Sequence, residues 1–217
     1  MTKLEQGIQF MQEQNWEEAA RLLTEYIDEN PADGLGYVNF GNLLDVLGEQ
    51  ERAVTFYKRA IELDDKLAAA YYGLGNVYYE QEQYKQARLM FEKAVQNGLE
   101  TGDAYFMLGF SCVQLGNDKL ALPYLQRATE LNETDAEAMF QYGLCLARLE
   151  YVKEAKPMFE KAVALDPDHA DAYYNLGVVY VFEENAEKAL EMFKKAVEIQ
   201  PDHFLAGNGI RLMETEE

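Results

Sequence analysis

Positive charge is scarce in this chain: 19 lysines and arginines stand against 39 aspartates and glutamates, a formal net charge of −20 over 217 residues. Such a surface repels phosphate backbones and anionic lipids over about a Debye length, ~8 Å at physiological salt. Direct binding to nucleic acid or to a membrane surface is therefore disfavoured. Histidine and cysteine are scarcer still. The only two histidines, His169 and His203, recur in the same tripeptide PDH 34 residues apart, a spacing that separates them instead of converging them on a metal or an acid–base task. Cys112 and Cys145 lie in apolar segments without the close Cys/His spacing of a zinc site, and read as buried free thiols. No apolar run approaches the ~18 residues that span a bilayer. The opening MTKLEQGIQF has no signal-peptide core, and no G-x-x-x-x-G-K-[ST] phosphate loop occurs. With no convergent nucleophile, base or cofactor motif, the sequence predicts no catalytic residue, no metal and no cofactor, and points to a soluble, cytoplasmic, non-enzymatic protein.

What the chain has in abundance is a period. Gly7, Gly41, Gly75, Gly109, Gly143 and Gly177 recur at 34-residue intervals. Twelve residues after each comes an alanine, from Ala19 to Ala189. Nineteen after come Ala60, Ala94, Ala128, Ala162 and Ala196, with Tyr26 as the exception in the first repeat. Sixteen after stands a bulky apolar residue: Leu23, Tyr57, Phe91, Leu125, Phe159 and Phe193. Small side chains where two helices approach, with a large one filling the gap beside them, imply paired helices. In EKALEMFKKAVEIQPDH the apolar positions recur at three- and four-residue steps and Pro201 stops the helix. Pro31 and Pro167 share that stopping position, and Gly98 does the same work in the third repeat. Pro123 and Pro157 lie near the start of a second helix, where a missing N–H costs at most one early hydrogen bond. No segment alternates like a strand.

Tyr173, Leu176, Gly177, Tyr180, Ala189, Phe193, Ala196 and Pro201 match the 34-residue signature of the tetratricopeptide repeat, and the chain resembles that family over residues 1 to about 203. The resemblance implies an all-α fold, a right-handed α-solenoid (superhelix) of six helix-turn-helix repeats at about 1–33, 34–67, 68–101, 102–135, 136–169 and 170–203. A capping helix over 204–213 completes a single domain, 1–217. Departures are local: Gln6 replaces the leucine of the first repeat, Cys112 and Leu146 replace tyrosine, and Asp65, Leu99 and Glu133 replace the closing proline. Thr2-Lys3-Leu4-Glu5 reads as a capping box opening the first helix. The last helix is expected to cover the sixth repeat through Phe204, Leu205, Ile210, Leu212 and Met213, and to fray after Met213. Gly207 and Gly209 each weaken it by ~1 kcal/mol relative to alanine.

In the resembled family the first helices of successive repeats line a groove in which a partner peptide lies. Carried over position by position, repeats two and three present Asn39, Asn42, Asp45, Tyr72, Asn76, Tyr79 and Glu80. Repeats four to six present Phe106, Phe110, Phe140, Gln141, Leu144, Arg148, Tyr174, Asn175, Val178 and Phe182. The polar set suits backbone recognition, because an asparagine amide both donates and accepts. The apolar set suits side-chain anchors of a partner, although some of these rings are equally placed to pack into neighbouring helices. In YYGLGNVYYE, Tyr71 to Glu80, Gly75 is the close-packing glycine and Gly73 is expected to leave room towards the groove. Tyr71 and Tyr78 then read as a packing pair, with Tyr72, Asn76 and Tyr79 facing a partner. Family members that clamp an acidic carboxy-terminus carry Lys or Arg where this chain has Val38, Asn39, Asn42 and Tyr72, and Arg148 is the one groove cation placed here. With Asp45, Glu80, Asp103, Glu137 and Asp171 on or beside the groove, an apolar or basic peptide segment is the favoured ligand. A narrower resemblance, carried by KLALPYLQRATELNETDAEAMFQYGLCLA and ALEMFKKAVEIQPDH, to a small stand-alone member of the family implies a cytoplasmic scaffold, with enzymes of RNA sulfuration among its candidate clients. The alternative is self-association to a homo-oligomer through the groove or the apolar carboxy-terminal helix.

Overall fold

A computed structural model describes residues 1–215, and among them every regular element is a helix. The last two residues of the expected 1–217 domain lie outside the described residues. The described chain forms two compact units, Met1–Leu115 and one that begins at Gly116. The first contains α1 (Lys3–Gln12), α2 (Trp16–Glu29), α3 (Gly34–Val46), α4 (Gln50–Leu63), α5 (Ala68–Glu80), α6 (Tyr84–Gln96) and α7 (Gly102–Gln114). The second contains α8 (Asp118–Leu131), α9 (Ala136–Arg148), α10 (Val152–Leu165), α11 (Ala170–Phe182), α12 (Ala186–Ile199) and α13 (Phe204–Thr215). Within each unit every helix packs on the next one in the chain, and in the first unit α3 also touches α1 and α5.

Local sequence sets the helix ends. Thr2 forms the expected capping box, its hydroxyl accepting from the Glu5 N–H at 3.2 Å while Glu5 Oε2 accepts from the Thr2 N–H at 2.8 Å. Asn15, Asp33, Thr101, Asn117, Asp135 and Asn185 cap later helices with their side-chain oxygens. Pro31, Pro167 and Pro201 each follow the residue that closes a helix. Pro123 and Pro157 sit inside α8 and α10, six residues in, where each gives up one ladder hydrogen bond. The turn inside each pair needs one residue with left-handed backbone, at Gln14, Gly48, Glu82, Gly116, Glu150 and Glu184, with φ between 56° and 76°.

Within each unit the frame glycines Gly7, Gly41, Gly75, Gly143 and Gly177 are points of contact between the two helices of a pair. A Cβ added at Gly75 would lie 2.7 Å from the Phe91 ring, and one at Gly177 would lie 2.6 Å from that of Phe193. Gly7, Gly41 and Gly143 stand over Leu23, Tyr57 and Phe159 in the same way. These bulky residues and the frame alanines form the core of each unit. Cys112 and Cys145 are buried, the Cys145 thiol donating to the Asp118 carbonyl at 3.1 Å, and burial pushes the Cys112 thiol up to about 11.

The carboxy-terminal helix docks differently from the sequence expectation. Ala206, Gly209, Ile210 and Met213 face the core of the second unit, whereas Phe204, Leu205 and Leu212 are 72%, 54% and 65% exposed. The reason is phase: at 100° per residue the first four share one stripe and the other three fall on the far side. The helix also continues to Thr215, two residues past the expected fraying point. The two glycines of α13 separate accordingly. Around Gly207 an added methyl meets nothing within 4 Å, so Gly207→Ala should stabilise by up to ~1 kcal/mol through helix propensity alone. At Gly209 the same methyl would lie 2.8 Å from the buried Phe193 ring. Overpacking costs about 1–3 kcal/mol and should outweigh that gain. Urea titrations of the two variants check the opposite signs, and a stabilised Gly209→Ala protein would refute this account of the docking.

Candidate functional site

In the first unit, α3 and α5 present their groove faces around a cavity of about 400 Å³, lined by Asn42, Asp45, Tyr57, Tyr72, Gly73, Asn76, Thr101 and Asp103 among others. Five of the predicted residues or their neighbours meet here: Asn42, Asp45, Tyr72, Asn76 and Asp103. Asn42 Oδ1 accepts a 2.8 Å hydrogen bond from the Tyr57 hydroxyl. Asp45 Oδ1 is enclosed and has no hydrogen-bond partner among the described residues. Burial first, and Glu80 second, raise the Asp45 pKa above the usual aspartate value. Tyr72 leans on Phe91, with ring centroids 5.6 Å apart. Its pKa is raised by burial and then by Asp103, against a hydrogen bond from Asn76 that lowers it.

The remaining candidates of this unit are arranged around that cavity. Asn39 turns its amide back along its own helix, donating to the Leu35 carbonyl at 2.8 Å. Glu80 accepts from Gln50 Nε2. Tyr79 stacks on Phe110 at 5.8 Å, and Phe110 stacks on Phe106 at 5.3 Å. All three rings are half-buried, and burial pushes the Tyr79 hydroxyl up to about 12. Gly73 does not open space towards the groove. Its missing side chain is replaced by the ring of Tyr57, which would lie 2.5 Å from an added Cβ.

In the second unit, α9 and α11 border a cavity of about 520 Å³ lined by Leu144, Ala147, Arg148, Phe159, Asn175, Val178 and Phe182 among others. Five predicted residues, Leu144, Arg148, Asn175, Val178 and Phe182, are brought together here. Phe182 is 72% exposed. Arg148 Nη1 lies 3.4 Å from Asp118 Oδ1, an exposed pair of little energetic weight. Asn175 donates to the Asp171 carbonyl at 2.8 Å and Gln141 to Glu137 Oε1 at 2.8 Å, so both amides are turned along their own helices.

Phe140 and Tyr174 stand apart from this cavity. Phe140 is only 6% exposed and is wedged between Phe159, 6.0 Å away, and His169, 4.4 Å away. Tyr174 is half-buried between Phe193 and His203. Each histidine completes a helix start. His169 Nδ1 accepts from the Ala172 N–H at 3.3 Å and His203 Nδ1 from the Ala206 N–H at 3.1 Å. Their other ring nitrogens reach back to the start of the same repeat, to Glu137 at 3.5 Å and to Asp171 at 3.1 Å. The Glu137 carboxylate, working against burial, raises the His169 pKa. Sequence reasoning passed over Tyr57, Thr101 and Phe159 as site residues. The signal available for Tyr57 was its hydroxyl, which no other residue at that frame position carries.

Comparisons with known proteins follow the same lines. Models described as a TPR repeat and as a tetratricopeptide repeat match residues 41–82 and 72–136. The Cilia and flagella-associated protein 70 middle TPR-like domain matches 105–208. No curated protein matches the chain. Among solved structures, YrrB, described as a TPR protein with an unusual peptide-binding site, is 54% identical with a TM-score of 0.84, over 89% of this chain and 100% of that one. A MamA structure is 25% identical with a TM-score of 0.71, over 78% and 92%. PilF of Pseudomonas aeruginosa, at 17% identity and a TM-score of 0.81 over 99% and 96%, shares the fold. Among the described residues no helix is long and apolar enough to cross a membrane.

Proposed function

Because this chain belongs to the tetratricopeptide repeat family, we propose that it is a non-enzymatic cytoplasmic scaffold that holds an extended segment of a partner protein against the first helices of its repeats. The observation that carries this reading is the pair of cavities on those helix faces. One is polar, with Asn42, Asn76 and Asp45, and one is apolar, with Leu144, Val178 and Phe182. A peptide supplies both main-chain amides for the first kind of surface and apolar anchors for the second. Among the described residues no lysine or arginine forms an ion pair with Asp45, Glu80 or Asp103. An apolar or basic segment therefore suits the site better than an acidic one. The peptide-binding site named for YrrB supports the same class of function. Assembly of a complex is the expected output, and the narrower family resemblance makes enzymes of RNA sulfuration one candidate set of clients.

An array of acetylated and amidated 12-residue peptides, spanning acidic, basic and apolar compositions, tests the proposal. Basic or apolar peptides should bind, and an Asn42→Ala, Asn76→Ala protein should lose them. Preference for acidic peptides, or unchanged binding by the variant, would sink it. The exposed Phe204, Leu205 and Leu212 on α13 favour a second reading, self-association through that face. Sedimentation across a dilution series separates the two, since a monomer at every concentration removes the second.

A further inference from the structure

Tyr57 is built into the first unit at a cost that packing alone does not explain. Its frame position holds Leu23, Phe91, Leu125, Phe159 and Phe193 elsewhere, so a ring without a hydroxyl fills the same gap in three other repeats. Tyr57 is 1% exposed, and a buried hydroxyl is destabilising unless it is hydrogen-bonded. Room for it requires Gly73, whose added Cβ would fall 2.9 Å from the hydroxyl oxygen and 2.5 Å from the ring. The equivalent residues of the other repeats are Glu5, Asn39, Met107, Gln141 and Asn175, and one period further on, in α13, Gly209. The glycine makes room for the ring, as Gly209 does for Phe193, whereas the hydroxyl is particular to Tyr57 and places an O–H 2.8 Å from Asn42 Oδ1.

That bond engages the Oδ1 end of the Asn42 amide. With its oxygen occupied, the side chain offers the two N–H groups of Nδ2. Asp45 stands three residues further along α3, on the same helix face and against the same cavity; its Oδ1 is enclosed by the protein, which leaves Oδ2 of the half-buried carboxylate as the acceptor a ligand can reach. The face therefore presents a donor and an acceptor side by side. A residue in extended conformation points its own C=O and N–H to one side, as in a hydrogen-bonded pair of an antiparallel ladder. We propose that Tyr57 is a positioning residue that turns Asn42 to donate to a main-chain carbonyl of the bound segment, while Asp45 accepts the N–H of the same residue. The recognised group is the peptide backbone, so this subsite is indifferent to side-chain identity. The inference rests on the groove reading above.

The test uses the tightest-binding 12-residue peptide from the capped array, with the intact protein, Tyr57→Phe, Asn42→Ala and the double variant. Tyr57→Phe should keep the fold, since phenylalanine already fills this position in three repeats, and should weaken binding roughly five- to tenfold, the worth of one neutral hydrogen bond. In the Asn42→Ala background the same substitution should have no further effect, because its action runs through Asn42. A second readout needs no ligand: in protein labelled with ¹⁵N at asparagine, Tyr57→Phe should shift the Asn42 side-chain amide signals. Unchanged Asn42 signals, or a Tyr57→Phe loss that persists in the Asn42→Ala background, would overturn the inference. Weakening by Asn42→Ala with none by Tyr57→Phe removes this inference alone. An Asn42→Ala protein that binds like the intact one removes the groove reading with it.

Discussion

Phe159→Ala should destabilise the second unit by about 3–5 kcal/mol, the range for deleting a buried ring, and the upper half of that range is expected. Phe159 is 1% exposed and lies against Phe140 on one side and the bare backbone of Gly143 on the other. A glycine has no side chain to move into the vacated volume, so the cavity stays open. Phe159→Leu should cost less than about 1.5 kcal/mol, because leucine already fills this position as Leu23 and Leu125, both fully buried. Urea denaturation followed by circular dichroism checks both values. The same experiment addresses the single-domain reading, which we propose for residues 1–217. Trp16, the one tryptophan, sits in the first unit, so its fluorescence reports on that unit alone. In a nearest-neighbour array the Phe159→Ala defect should lower the Trp16 midpoint as well. A Trp16 transition that ignores the substitution would sink the single-domain reading.

The parts of this structure legible in the sequence are those recorded within one repeat. Gly75 over Phe91 and Gly177 over Phe193 place both partners in the same 34 residues, so the small and large positions announce the helix pair directly. Burial decided by the segment that closes a repeat is not legible in that way. Of the three residues Phe106, Phe140 and Tyr174 at one frame position only Phe140 is buried, and it has His169 at 4.4 Å where Tyr174 has His203 at 5.2 Å. The docking face of α13 was hidden because Phe204 and Leu205 look like anchors. Close approach was instead set by Ala206 and by Gly209, the small residues that let the helix sit against Phe193. The left-handed turn position was visible in part. Gly48 and Gly116 share its register, but Gln14, Glu82, Glu150 and Glu184 adopt the same backbone without glycine, at roughly 1–2 kcal/mol each, and so mask the period. The space at Gly73 is not legible for a related reason: the ring that fills its missing side chain belongs to the preceding repeat.

Val178→Asp should weaken binding of an apolar 12-residue peptide by at least about a hundredfold, ~2.7 kcal/mol, with a stability change near 1 kcal/mol. Val178 takes the frame position occupied by Asn42 and Asn76 in the first unit and by Leu144 one repeat earlier. It is half-buried beside Leu144 and Phe182 at the apolar cavity. In the free protein an aspartate there remains partly hydrated, so the fold tolerates it. When an apolar anchor covers it, the carboxylate loses that water without gaining a partner, and a buried unpaired charge costs several kcal/mol. Arg148 lines the same cavity but is drawn towards Asp118, so its compensation is incomplete. Val178→Asn gives the size of the polar effect without the charge and should lie between the two. Isothermal titration of the three proteins against one peptide orders them. Binding of the Val178→Asp protein within threefold of the intact one would show that the segment bypasses α11 and would confine the groove to the first unit.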